Sequence, residues 1–202
     1  MEITWHNNTC FTIKDKGATL VINPDSKCGK LKGDFVLSSL GENEKLSEVE
    51  GATRIFDWPG EYEIKDVPII GFQAWTKSKA KEEAGDAGES TIIFRFQVDG
   101  IKICHLGELG HTLTSEMLKE IGDVDVLMIK VGKSSNLEAK KASEIIEGIE
   151  PRIIIPMGDE DLESALKGVW SDKVEIMDKL VIKSKADLPE DKTRCIVLSK
   201  AD

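Results

Sequence analysis

Two of the three histidines in this 202-residue chain, His105 and His111, stand in one stretch, "HLGELGH", with Glu108 between them and glycines on either side. Imidazole and carboxylate side chains brought together by a tight turn are the raw material of a metal site, where a bound cation lowers the pKa of water and makes it a nucleophile. Zinc asks for about three or four protein ligands. His6 is the only further histidine, and Cys10, Cys28, Cys104 and Cys195 are scattered without a C-x-x-C pair. The chain is therefore too poor in imidazole and clustered thiol for an ordinary zinc site. Oxygen ligands are plentiful, with 37 Asp and Glu in the chain. Glu42, Glu44, Glu108 and Asp159, with Glu160 or Asp161, are the set that could hold Mg²⁺, Ca²⁺ or Mn²⁺ if they converged. The plainer reading of the same residues is a group of solvated loop acids.

Other chemistry-bearing stretches have weaker signals. "VGKSSN", residues 131–136, follows an apolar run and precedes a helical one, so its N–H groups could meet an anion. It lacks the G-x-x-x-x-G-K-[ST] pattern, and the expectation is that Ser135 or Asn136 caps the helix. No Ser-His-Asp set can be assembled from sequence order alone. Cys10, Cys104 and Cys195 lie in strand-like surroundings and read as buried small hydrophobes, which leaves Cys28, on a loop, as the candidate reactive thiol.

These residues need a scaffold. The first hundred residues read as short strands, "EITW", "CFTIKD", "ATLVIN", "DFVLS", "TRIFD", "EYEI" and "VPIIGFQA", separated by Gly, Pro, Asn and Asp turns. "TIIFRFQV" and "IKICHL", joined by Asp99-Gly100, form the clearest hairpin. Beyond residue 111, helical spacing in "TSEMLKEIG", "EAKKASEIIEGI" and "DLESALKGV" alternates with the apolar runs "VDVLMIKV" and "RIIIPM". The α/β expectation is a β-rich first half and a βα second half within one domain, residues 1–202. "TKSKAKEEAGDAGES", residues 76–90, reads as an exposed loop with its first residue at the sheet end.

Composition narrows the class. Forty per cent apolar residues can fill a core, and a net charge of −10 argues against nucleic acid or anionic membranes as partners. No apolar run reaches about 18 residues and the start is not of signal-peptide type, which implies a cytoplasmic protein.

Taken in order, "ITWHNNTCF", "PGEYEIKDVPIIG", "DGIKICHLGELGH", "LKEIGDVDVLMIKVG" and "EPRIIIPM" resemble the metallo-β-lactamase-fold hydrolases, in the branch of ascorbate-6-phosphate lactonase type. That resemblance implies an αββα sandwich with a metal cleft at one edge, where zinc or manganese activates water against an ester, lactone, amide or phosphodiester. It also shows where this chain departs. Against the family's H-x-H-x-D-H cluster stand Leu40, Glu42, Glu44 and Lys45. Thr76 stands at the next histidine, Glu108 at the bridging aspartate of G-D-L-G-H, Gly158 at the last histidine, and Asn8 at the histidine of G-H-S-C-F. The reading is a degenerate member with no metal cofactor, acting on a protein or small-molecule partner or as a homo-oligomer. The alternative is a hydrolase with a carboxylate-rich metal site. His105 is expected to be structural, His111 to bond a neighbouring loop, and Lys45 to pair with Glu108 where the metal would sit.

Overall fold

The computed structural model describes residues 1–40, 45–77, 89–158 and 161–201. Strands β1 (Glu2–Asn7), β2 (Cys10–Lys14), β3 (Thr19–Ile22), β5 (Phe35–Leu37), β7 (Ile55–Phe56) and β15 (Leu180–Val181) form one mixed sheet in the order β15-β1-β2-β3-β5-β7. A second sheet runs β14-β16-β13-β12-β11-β10-β9-β8. Its strands are β8 (Gly60–Ile64), β9 (Val67–Trp75), β10 (Ser90–Val98), β11 (Ile101–His105), β12 (Val126–Lys130), β13 (Ile153–Met157), β14 (Val174–Met177) and β16 (Arg194–Leu198). A ribbon of β4 (Leu31–Lys32) and β6 (Val49–Glu50) completes the strands.

The alternation of side chains decides how the sheets meet. Phe11, Ile13, Leu20, Ile22, Phe35 and Leu37 of the first sheet share one buried cluster with Ile92, Phe94, Phe96, Ile103, Val126, Met128 and Ile155 of the second. Ile93, Cys104, Leu127, Ile129 and Ile154 point the other way, into a cluster completed by helices α1 (Ser115–Ile121), α2 (Ala139–Ile149) and α3 (Leu162–Ala165). Strand β12 is buried along its whole length, as a central parallel strand covered on both faces must be.

Helix α2 buries Ala142, Ile145, Ile146 and Ile149 and stops at Glu150, whose left-handed φ of 51° precedes Pro151. Helix α1 begins on Thr114, whose side chain accepts from Met117 N. Residues 161–169, read from sequence as one helical run, give only the four-residue α3. Cys10, Val21, Cys28, Leu31, Val36 and Val49 form a small cluster on the outer face of the first sheet, where the described cover is the β4–β6 ribbon and the loop before it.

The two-sheet α/β architecture expected from the sequence is present, and Asp99 and Gly100 turn the β10–β11 hairpin at φ 52° and 77°. Most of the 76–90 segment, together with Glu42, Glu44, Asp159 and Glu160, lies outside the described residues. Among the described residues no helix is long and apolar enough to cross a membrane.

Candidate functional site

β1, β3 and β5 end at the same edge of the first sheet, and β11, β12 and β13 bring His105, Lys130 and Met157 to the matching edge of the second. Such an edge, at the carboxyl ends of parallel strands, is where open α/β sheets gather their polar side chains.

Lys130 is the centre of the arrangement. It continues the inward-facing series Val126, Met128, so its side chain enters the space between the sheets at its rim. Its Nζ donates to both oxygens of Glu108, at 2.8 and 2.9 Å, with the two side chains only 8% and 16% exposed. Asn136 Nδ2 donates to the Glu108 carbonyl and Glu108 N donates to Thr91 Oγ1. Thr91 Oγ1 in turn donates to the Ser39 carbonyl at 2.8 Å. Ser39 N donates to Asn23 Oδ1, and Asn23 Nδ2 donates to Ser39 Oγ and Thr9 Oγ1. These five residues, Thr9, Asn23, Ser39, Thr91 and Glu108, satisfy one another across the two sheets.

His105 joins the same network. Gly107 N donates to its Nδ1, so the ring proton sits on Nε2 and bonds the Thr9 carbonyl at 3.1 Å. Full burial lowers its pKa to about 4, outweighing the hydrogen bonds that favour the charged ring. It is a neutral structural histidine, packed edge-on against Phe11. His111 accepts from Trp75 N at 3.3 Å and bonds the Thr112 carbonyl, tying down the end of β9 as expected of a loop-bonding histidine. His6, half-buried, bonds Thr12 Oγ1.

Asn8, at φ 44°, forms an isolated antiparallel bridge with Gly158, and its Oδ1 is buried without a partner among the described residues. Gly158 has φ 155°, and a Cβ there would lie 2.9 Å from the Val131 carbonyl, so the backbone leaves no room for a side chain. Thr76 is half-buried, its carbonyl pressed against Gly110 so closely that any Cβ on residue 110 would collide with it. Leu40 follows Ser39 on the same rim and is partly buried. Glu42, Glu44 and Asp159 are outside the described residues.

Lys45 corrects the expectation. It is exposed, and Glu108 takes its cation from Lys130 instead. Residue 45 sits on an irregular segment facing water, whereas Lys130 is carried by a buried strand aimed at the rim. The helix cap differs as well: α2 starts at Glu138 without a side-chain cap bond. Ser135 Oγ instead accepts from Leu137 N and donates to the Lys130 carbonyl. Ser135 N bonds the Gly132 carbonyl, so this N–H of the "VGKSSN" turn and that of Leu137 just after it are consumed locally and do not face an anion.

Sequence reasoning missed Lys130, Asn23, Thr9, Ser39 and Thr91. The signal for Lys130 was present: a lone lysine in a fully apolar strand needs a buried acidic partner. Among the described residues no group of three or more His, Cys, Asp or Glu side chains is arranged to hold a metal ion. A cavity of about 490 Å³ lies beyond the end of β12, lined by Gly132, Lys133, Ala139, Asp161 and Ser164.

The profile of the family described as "Beta-lactamase superfamily domain" matches residues 2–158. A UPF0173 protein of Pyrococcus furiosus is 25% identical over 188 residues, covering 78% of this chain and 82% of that protein. A UPF0173 metal-dependent hydrolase of Carboxydothermus hydrogenoformans is 23% identical, covering 78% of this chain and 84% of its own. Among solved structures, a Thermotoga maritima protein described provisionally as a Zn-dependent hydrolase of the metallo-β-lactamase superfamily superposes with a TM-score of 0.78. It is 28% identical, and the match covers 98% of both chains.

Proposed function

The chain belongs to the metallo-β-lactamase superfamily, and we propose that it is a member in which an internal ion pair stands where relatives hold a metal, acting by binding, assembly or regulation rather than hydrolysis. The observation that carries this reading is the Lys130 ammonium on both oxygens of Glu108. By the resemblance, Glu108 stands at the bridging carboxylate of the family's metal pair. A carboxylate whose two oxygens already bond an ammonium has little left for a cation, and a second positive charge beside Lys130 would be repelled.

The other family positions support the same reading. Gly158 cannot carry an imidazole without displacing the Val131 carbonyl, Leu40 has no donor atom, and Asn8 offers a neutral amide. The residues present do not fit zinc. In place of a metal, the network from Thr9 through Asn23, Ser39 and Thr91 to Glu108 clamps one sheet to the other, so the rim is pre-organised without a ligand.

A second reading is favoured by the relatives that carry the name metal-dependent hydrolase. It would place a hard cation on Glu42, Glu44 and Asp159, displacing Lys130 from Glu108. Elemental analysis of protein purified without chelator separates the two, together with a panel of ester, lactone and phosphodiester substrates. The proposal expects well under one equivalent of Zn, Mn or Fe and no turnover above background. Stoichiometric metal with turnover lost in Glu108→Ala would replace it by the hydrolase reading.

A further inference from the structure

All four cysteines are free and buried, and two of them are neighbours. Cys10 opens β2 on its outward face, and Cys28 reaches the same small apolar cluster from the loop after β3. The Cys28 thiol is the foremost influence on the Cys10 thiol and pushes it towards the protonated form. Contacts through Asp25 bring the two segments together beside that shared cluster. Asn7 lies opposite Cys10 in the β1–β2 register, Asn7 Nδ2 donates to one oxygen of Asp25 at 3.3 Å, and the Cys28 thiol donates to the other at 3.2 Å. Cys104 and Cys195 have no such relation, because β12 and β13 separate their strands. Three inter-strand spacings put them roughly 14 Å apart, beyond the reach of a disulfide.

We propose that Cys10 and Cys28 are an oxidative modification site, closing to an intramolecular disulfide when the protein meets a hydroperoxide. Cys28 is the entry point, since it lies on a loop and is 9% exposed while Cys10 is fully covered. The Cys28 thiolate attacks one peroxide oxygen and the O–O bond breaks. With hydrogen peroxide the departing hydroxide takes a proton and leaves as water. Cys28 is then a sulfenic acid, oxidised by two electrons as the peroxide is reduced by two. Cys10 attacks the Cys28 sulfur, the S–O bond breaks, and the hydroxyl leaves as a second water with the Cys10 proton. The bonded Cys28 thiol, then burial, then the Asp25 charge hold Cys10 protonated at rest, so the pair stays reduced until the loop is attacked.

The crosslink would fasten the loop carrying Asp25 to β2. Asp25 bonds Asn7, which adjoins the rim residue Asn8, and Ser47 N bonds the Pro24 carbonyl of the same loop. Oxidation thus stiffens one wall of the candidate site, independently of what the site does.

The test is exposure of the native full-length chain to hydrogen peroxide, alkylation of the remaining thiols, and intact-mass and peptide mapping. The expected result is loss of two thiols of the four without chain dimerisation, a peptide joining Cys10 to Cys28, reversal by dithiothreitol, and a Tm raised by several degrees. In Cys10→Ser, Cys28 should stop at the sulfenic acid and react with dimedone. The proposal is overturned if wild type keeps four thiols, joins another pair, crosslinks between molecules, or carries Cys28 on to the sulfonic acid instead of the disulfide. The wild-type map decides alone should the variant fail to fold.

Discussion

Among the described buried residues, Lys130 is the one that carries a full charge, and everything around it answers to that. A buried ammonium left alone is far costlier than one that is paired, so removing one partner should hurt more than removing both. Lys130→Met is expected to destabilise by about 2 to 4 kcal/mol, somewhat below a fully buried pair because Glu108 keeps some water contact. The Lys130→Met/Glu108→Gln double variant should recover much of that loss in urea titrations. Additive effects would mean that the two side chains do not depend on each other. His105 makes a second prediction. Its folded pKa of about 4 lies below its ordinary 6.5, so the unfolded chain takes up the proton first as acid is added. The stability held at neutral pH is therefore present above pH 6.5 and is lost as pH falls from there through about 4. By linkage the loss is on the order of 2 to 4 kcal/mol. His105→Gln should flatten that acid limb; an unchanged limb would show that His105 is not its source.

At the scale of elements, the turn from β11 to α1 is held against the end of β9 by backbone contact. Gly110 N bonds the Trp75 carbonyl at 3.0 Å, and the Thr76 carbonyl fills the space a side chain at 110 would need. Gly110→Ala should cost about 2 kcal/mol or more and lower Tm, while Gly17→Ala, whose Cβ would meet only Asp15 Oδ1 at 3.7 Å, should cost less. Equal costs would mean that the approach of β9 is not tight. The same elements show what could be read from sequence. The β10–β11 hairpin was legible because Asp99-Gly100 is a local turn signal, and α2 because Ala142, Ile145, Ile146 and Ile149 recur at helical spacing. The polar network was not legible. Thr9, Asn23, Ser39, Thr91 and Glu108 are single polar residues at strand ends, and their partners are far away in sequence. The charge expected opposite Glu108 was placed on Lys45 by motif alignment, whereas the pleat of β12 delivers it from Lys130. A lone lysine in an apolar strand and the strand period counted from Val126 together point to that residue.

At the scale of the whole molecule, the sandwich is that of the superfamily, while the described side chains from Thr9 to Glu108 bond one another. On the proposed reading, the hydrogen-bonded network and the ion pair hold the sheets together without a metal. A cation that binds only the native state adds RT ln(1 + [L]/Kd) to the unfolding free energy, so metal dependence of Tm reports directly on whether a site exists. The most direct measurement is therefore a thermal melt of the purified chain in EDTA, in saturating Zn²⁺ and in saturating Mn²⁺, repeated on Glu108→Ala. The account predicts melting temperatures for the wild type that agree across all three conditions to within about a degree, since [L]/Kd stays near zero. A rise of several degrees with either cation, abolished by Glu108→Ala, would contradict it and return the carboxylates to the role of metal ligands.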